Sequence, residues 1–246
     1  MTTIQQLKEI GFSDNKIETP RRLIVSVAGR EKSGKTHFAC TAPEPILFFN
    51  IDVGTEGVVG KFQDGLDGHK PKQILIYDVR LPKSSGSNKD VYGPLWLDVK
   101  SRLSAAYGLG RGTVVIDTAT EAWELARLAH FGKLTQVMPH NYVEVNNEWR
   151  EMLRMAYDSD MNTVLIHKQK AKYVNNVRTS EWETAGFGEI GYLVQANFLT
   201  YRDDTDGGPA FNMLIQDCRQ NPNLSGQVLR GPMVDFGFIL DLVHSK

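Results

Sequence analysis

Gly29-Arg30-Glu31-Lys32-Ser33-Gly34-Lys35-Thr36 is the stretch whose reading decides the fold. It has the form G-x-x-x-x-G-K-T. Before it, Leu23-Ile24-Val25-Ser26-Val27-Ala28 is short, apolar and rich in β-branched residues, as a buried strand is. After it, His37-Phe38-Ala39-Cys40-Thr41-Ala42 begins a helix. Strand, glycine-bounded loop and helix together are the setting of a phosphate-binding loop. The glycines let the backbone curl so that successive N–H groups converge on phosphate oxygens. The helix aims its first N–H groups and its positive dipole end at the same place. Lys35 supplies a point charge to the β- and γ-phosphates, and the Thr36 hydroxyl is a Mg²⁺ ligand. The candidate nucleotide site is therefore Gly29, Arg30, Glu31, Lys32, Ser33, Gly34, Lys35 and Thr36, with His37 beside it.

A second stretch complements the first. Gly112-Thr113-Val114-Val115-Ile116-Asp117-Thr118 is a hydrophobic strand that delivers an acid at its C-terminal end. Such a carboxylate, the Walker B element, holds Mg²⁺ opposite the phosphate-loop threonine. Thr36 and Asp117 are thus the candidate metal residues.

Between and beyond these two stretches, strands alternate with helices. Ile46 to Ile51 is a buried strand ending at Asp52, and Val53-Gly54-Thr55-Glu56-Gly57 is the loop at its end. Gln73 to Asp78 is a further strand, and Leu81 to Asp90 reads as a polar loop. Leu95, Val99, Leu103 and Tyr107 have helical spacing, which predicts a helix over 94–107 closed by Gly108. Helices are also expected over 121–131 and 142–160. Thr163 to Ile166 is a buried strand ending at His167. The next segment, 168–183, is polar and locally basic, carries Tyr173 and Trp182, and reads as a loop. Near the end, 196–202 and 210–217 form a hairpin, and 233–243 a closing helix. Residues 1–22 form a leader with a short helix through Ile4, Leu7 and Ile10, either a cap or a docking arm. Residues 23–246 form one domain, with no internal repeat and no linker.

Composition narrows the class. The chain has 246 residues, 41% hydrophobic and 23% charged, as soluble globular proteins do. With 28 Lys plus Arg against 29 Asp plus Glu there is no global basic footprint, so any nucleic-acid contact must use a local patch. Two cysteines, Cys40 and Cys218, make neither a metal-ligand spacing nor a disulfide scaffold. The first residues have no apolar signal core, and no stretch reaches the length of a membrane span. The expectation is a cytoplasmic protein, without a membrane partner.

In this order, phosphate loop, acid-ended strands and polar-ended strand resemble the core of the RecA-like ATPases. The chain looks most like the small phage-encoded members associated with single-strand annealing, over roughly residues 23–243. The resemblance implies an α/β fold, a RecA-like P-loop NTPase with a mostly parallel central sheet flanked by helices and, here, a C-terminal antiparallel hairpin. It implies that the strand ending at His167 lies between the phosphate-loop strand and the Walker B strand. It implies ATP and Mg²⁺ as cofactors, and a ring or filament of like subunits in the host cytoplasm. In the family a glutamate two residues after the second strand's aspartate polarises the attacking water. Here that position is Gly54, which leaves Glu56 and Asp52 as candidates. His167, or Gln169 beyond it, matches the γ-phosphate sensor, so the catalytic set is Lys35, Glu56, Asp52 and His167. The segment after that strand is where the family keeps a loop that touches single-stranded DNA. Lys168, Lys170, Lys172 and Arg178 match phosphate contacts there, and Tyr173 or Trp182 a base stack.

Two functions follow. One is an ATP-dependent protein of recombination or annealing that binds single-stranded DNA. The other is a motor or switch ATPase that acts through protein partners, like a helicase loader or a packaging ATPase. A kinase lid rich in arginine is missing from the pattern. So is the guanine-reading element of GTPases, which favours ATP; Phe62 is the candidate ring for the base.

Overall fold

The computed structural model describes residues 2–14, 20–52, 55, 57–81, 89–133, 137–205 and 208–245. The order begins with α1 (Ile4–Glu9), β1 (Ile24–Gly29), α2 (Lys35–Cys40), β2 (Ile46–Asn50), α3 (Val59–Asp64), β3 (Ile74–Asp78) and α4 (Lys89–Tyr107). Next come β4 (Thr113–Asp117), α5 (Ala119–Phe131), α6 (Tyr142–Tyr157), β5 (Asn162–His167), β6 (Gln169–Val174) and β7 (Val177–Thr184). The chain closes with α7 (Ile190–Leu193), β8 (Ala196–Thr205), β9 (Gly208–Cys218), β10 (Val228–Arg230) and α8 (Phe236–His244).

Eight strands form one sheet in the order β10-β9-β8-β1-β5-β4-β2-β3. From β3 to β8 every pairing is parallel, and β9 and β10 return antiparallel. The sheet is the expected α/β architecture of a P-loop NTPase, C-terminal hairpin included. β5 lies between β1 and β4, as expected, with Ala28 beside His167 and Ile166 beside Asp117.

Alternation along the strands sorts the core into two layers. Ile24, Val114, Ile116 and Leu165 face α4, α5 and α6, where Trp96, Trp149 and Leu125 are buried. Val25, Val27, Val115, Val164 and Ile166 face the other way, onto Phe38 of α2, Phe62 of α3 and Phe236 of α8. Strands covered on both sides carry continuous apolar runs, which is why β1, β4 and β5 are buried at every position.

Several boundaries differ from the sequence reading. α4 starts at Lys89, ahead of Pro94, which lies inside the helix. Past the first turn, a proline has no N–H to donate to the carbonyl four residues before it, and its ring crowds that carbonyl. α6 ends at Tyr157, three residues early, where Asp158 caps it. Most of the loop expected over 81–90 lies outside the described residues.

The segment 168–183 is not a loop. It is a two-stranded antiparallel hairpin, β6–β7, separate from the main sheet. Asn175 and Asn176 turn it, with φ of 51° and 63°. Asparagine tolerates this left-handed region better than most residues, and a two-residue turn of that hand matches strand twist. The Asn-Asn pair between Tyr173-Val174 and Val177 is the local signal that sequence reasoning passed over. β10 was missed too, being a three-residue edge strand.

Candidate functional site

The phosphate loop runs from the end of β1 into α2. Gly34 has φ +90° and Lys32 φ +57°, so the backbone turns twice through the left-handed region before the helix starts. Gly29 is required by a close approach. A Cβ there would sit 2.4 Å from Thr200 Oγ1 and 2.6 Å from the Thr200 carbonyl oxygen. β8 therefore presses on the loop, and a hydrogen bond of 2.8 Å between the Ser33 and Thr200 hydroxyls fastens the two.

Lys35 folds back onto the loop and donates to the carbonyls of Gly29 (2.9 Å) and Arg30 (2.6 Å). The Thr36 hydroxyl donates to Asp117 Oδ2 at 2.7 Å. Burial pushes the Asp117 carboxyl up, and the neighbouring Asp52 adds to this, while Thr36 opposes it. Burial also pulls the Lys35 ammonium down, against the attraction of Asp117. Each group is a charge held where water reaches it poorly. A divalent cation and phosphate oxygens are what such a pair of groups offsets. A hydroxyl and a carboxylate are hard oxygen donors of the kind Mg²⁺ takes, so the residues fit the metal. When bound, Mg²⁺ would neutralise charge on the phosphate oxygens.

The remaining candidates divide. Asp52 is at the end of β2, and the N–H groups of Ile51 and Asp52 both donate to the Asp117 carbonyl, at 2.7 and 3.1 Å. Glu56, with Val53 and Gly54, lies outside the described residues. His167 is fully buried at the end of β5, and burial pulls its pKa down to about 4. It is neutral at pH 7. With the proton on Nδ1, it donates to the Ala185 carbonyl at 3.1 Å. Its Nε2 is then a buried acceptor without a protein partner among the described residues.

Arg30 leaves the phosphate loop to stack on Trp182 of the hairpin, 4.7 Å from the ring centroid. His37 packs edge-on to Phe62. Phe62 itself is buried and stacked on His69 at 4.1 Å, so its ring is covered.

The five residues expected at DNA are all on the hairpin or at its base. Tyr173 is 61% exposed. Lys170 pairs across the strands with Glu183 at 3.3 Å, and Lys172 with Glu181 at 2.7 Å. Arg178 lies over Trp182, 5.9 Å from its centroid. Lys168 does not project with them. Its ammonium bridges Asp52 Oδ2 (2.9 Å) and Glu121 Oε1 (2.6 Å), and these hydrogen bonds outweigh burial and hold its pKa up. Sequence reasoning missed Glu121 as a neighbour of the site and the pairing of Arg30 with Trp182, because the partners are far apart in the chain.

A phosphate loop, a threonine hydroxyl and a buried strand-end carboxylate meeting at one edge of a parallel sheet define a P-loop NTPase. A family profile described as an AAA domain matches residues 21–188. The chain belongs to that family of P-loop ATPases. Compared with curated proteins, it matches none. No helix among the described residues is long and apolar enough to cross a membrane.

Proposed function

We propose that this protein binds and hydrolyses ATP with Mg²⁺, and that the β6–β7 hairpin engages single-stranded DNA in recombination or annealing of the phage RecA-like kind. The observation that carries the hydrolase reading is the 2.7 Å contact between Thr36 and Asp117, with Lys35 on the same loop. Lys35 would neutralise the β- and γ-phosphates, Thr36 and Asp117 would hold the metal, and Glu56 or Asp52 would orient the water.

The DNA reading draws on the hairpin. Tyr173 is exposed for stacking, and Lys170, Lys172 and Arg178 lie within reach of a phosphate strand. The Arg30–Trp182 stack ties it to the phosphate loop, so nucleotide state would bias where it sits. A ring or filament of like subunits in the cytoplasm fits the same reading.

One observation favours the other function. Glu181 and Glu183 neutralise Lys172 and Lys170, while Val174 and Val177 are exposed near the turn. Such a tip suits a protein partner, as in a motor or switch ATPase.

Lys35→Ala is the test. It should abolish hydrolysis and weaken triphosphate binding while the protein stays folded, because Lys35 touches the loop and not the core. ATPase assays with and without single-stranded DNA then separate the readings: stimulation supports the first, indifference the second. Wild-type turnover by Lys35→Ala would overturn the hydrolase assignment.

A further inference from the structure

The strand ends place a second lysine at the phosphate site. β2, β4 and β5 are neighbours in the sheet order β5-β4-β2, and their C-terminal ends bring Asp52, Asp117 and Lys168 together. Backbone bonds from Ile51 and Asp52 to the Asp117 carbonyl fix the first acid beside the second. Asp117 feels the charges of Asp52, Lys35 and Lys168 at once. Two acids near each other in a poorly hydrated place repel, and their side chains turn outward unless a cation holds them.

Lys168 is that cation for Asp52. Its Nζ is 2.9 Å from Asp52 Oδ2 and 2.6 Å from Glu121 Oε1. Its own backbone is anchored as well. The Lys168 N–H donates to Thr120 Oγ1 at 3.0 Å, and the Thr120 hydroxyl donates in turn to the Ala185 carbonyl, also at 3.0 Å. The Ala185 N–H closes the base of the hairpin on the Lys168 carbonyl at 2.9 Å. Lys168 is therefore both the first residue of the hairpin's base and the partner of an acid beside the metal residues.

We infer that Lys168 is a positioning residue of the phosphate site, which holds Asp52 toward Asp117 and Lys35 and joins that acid to the base of the hairpin. The inference rests on the hydrolase reading proposed above. It departs from the sequence pattern, in which Lys168 is one more phosphate contact for DNA. A hairpin that shifts would move Lys168, and with it Asp52, so that what the hairpin binds would reach the chemistry.

A double-mutant cycle on steady-state ATP hydrolysis tests it. Lys168→Met keeps the stem and removes the charge. It should lower kcat about 10- to 100-fold, as a misplaced site does, and leave KM for ATP within about threefold, because Lys35 still binds the phosphates. Lys168→Arg should recover most of the loss. With Asp52→Asn already present, Lys168→Met should cost nothing more. Additive losses in the double variant would overturn the inference. So would Lys168→Met with wild-type kcat and weakened binding of a single-stranded oligonucleotide, which would return Lys168 to the DNA contacts. If Lys168→Met does not fold, Lys168→Gln and Lys168→Arg read the same cycle. A wild-type protein that hydrolyses nothing, indistinguishable from Lys35→Ala, would sink the hydrolase reading and this one with it.

Discussion

The Thr36 hydroxyl donates to Asp117 Oδ2 at 2.7 Å, although 81 residues separate the two in the chain. β1 and β4 are not direct neighbours. β5 lies between them, and the crossover brings both strand ends to one edge of the sheet. Asp117→Asn keeps the shape and removes the charge, so the fold should survive. Metal-dependent hydrolysis should fall by about 100-fold or more, since a charge that steadies the transferring phosphate is lost. Titrating Mg²⁺ in the ATPase assay checks this: the variant should need much more metal, and an unchanged metal dependence would remove Asp117 from the site.

The acid that orients the water is tested by two substitutions. Glu56→Gln should bind ATP nearly as the wild type does and hydrolyse it much more slowly, because of the two candidate acids in the sequence Glu56 has the longer side chain. Asp52→Asn should slow the reaction less, since Asp52 is already engaged by Lys168. Single-turnover hydrolysis beside ATP binding distinguishes the two, and the reverse pattern would assign the water to Asp52.

Binding of single-stranded DNA should be read against salt. Each cation that meets a phosphate contributes about 0.7 to the slope of log affinity on log salt. Replacing Lys170, Lys172 and Arg178 together with Ala should flatten the slope by about 2 and leave basal hydrolysis in place. Tyr173→Ala should weaken binding by roughly 1–3 kcal/mol with little change of slope. A triple variant that binds an oligonucleotide as tightly as wild type at low salt would move the protein-partner reading ahead.

His167 makes stability depend on pH. Its ordinary value is 6.5, and burial pulls it down to about 4 in the folded protein. Between those values the unfolded chain takes up a proton that the folded one refuses. Stability is therefore full above pH 6.5 and falls as pH drops toward 4, by about 3 kcal/mol from this group. Asp117, whose carboxyl burial pushes up, works in the opposite direction in wild type and variant alike. His167→Gln should remove the share that comes from His167. Urea unfolding at pH 7 and pH 5 checks it, and equal losses in both proteins would mean that His167 is not held neutral.

By itself the sequence determined the phosphate loop, the acid at the end of β4 and the alternation of strands and helices. These are contiguous features. A left-handed turn at Gly34, or an apolar run covered on both faces, is written in neighbouring residues, because backbone sterics and side-chain periodicity act over a few positions. Element order also sufficed for the resemblance that put β5 between β1 and β4. The tertiary structure alone decided which charges meet. Lys168 counts as one cation among several in a basic segment, and only the crossing of β2, β4 and α5 near the end of β5 gives it Asp52 and Glu121 as partners. Phe62 reads as an available ring until His69 covers it. Arg30 meets Trp182 only because the hairpin rises beside the phosphate loop. Such pairings depend on register and crossover over tens of residues. Coulomb attraction and stacking act through space, and they leave no mark in the spacing of residues along the chain.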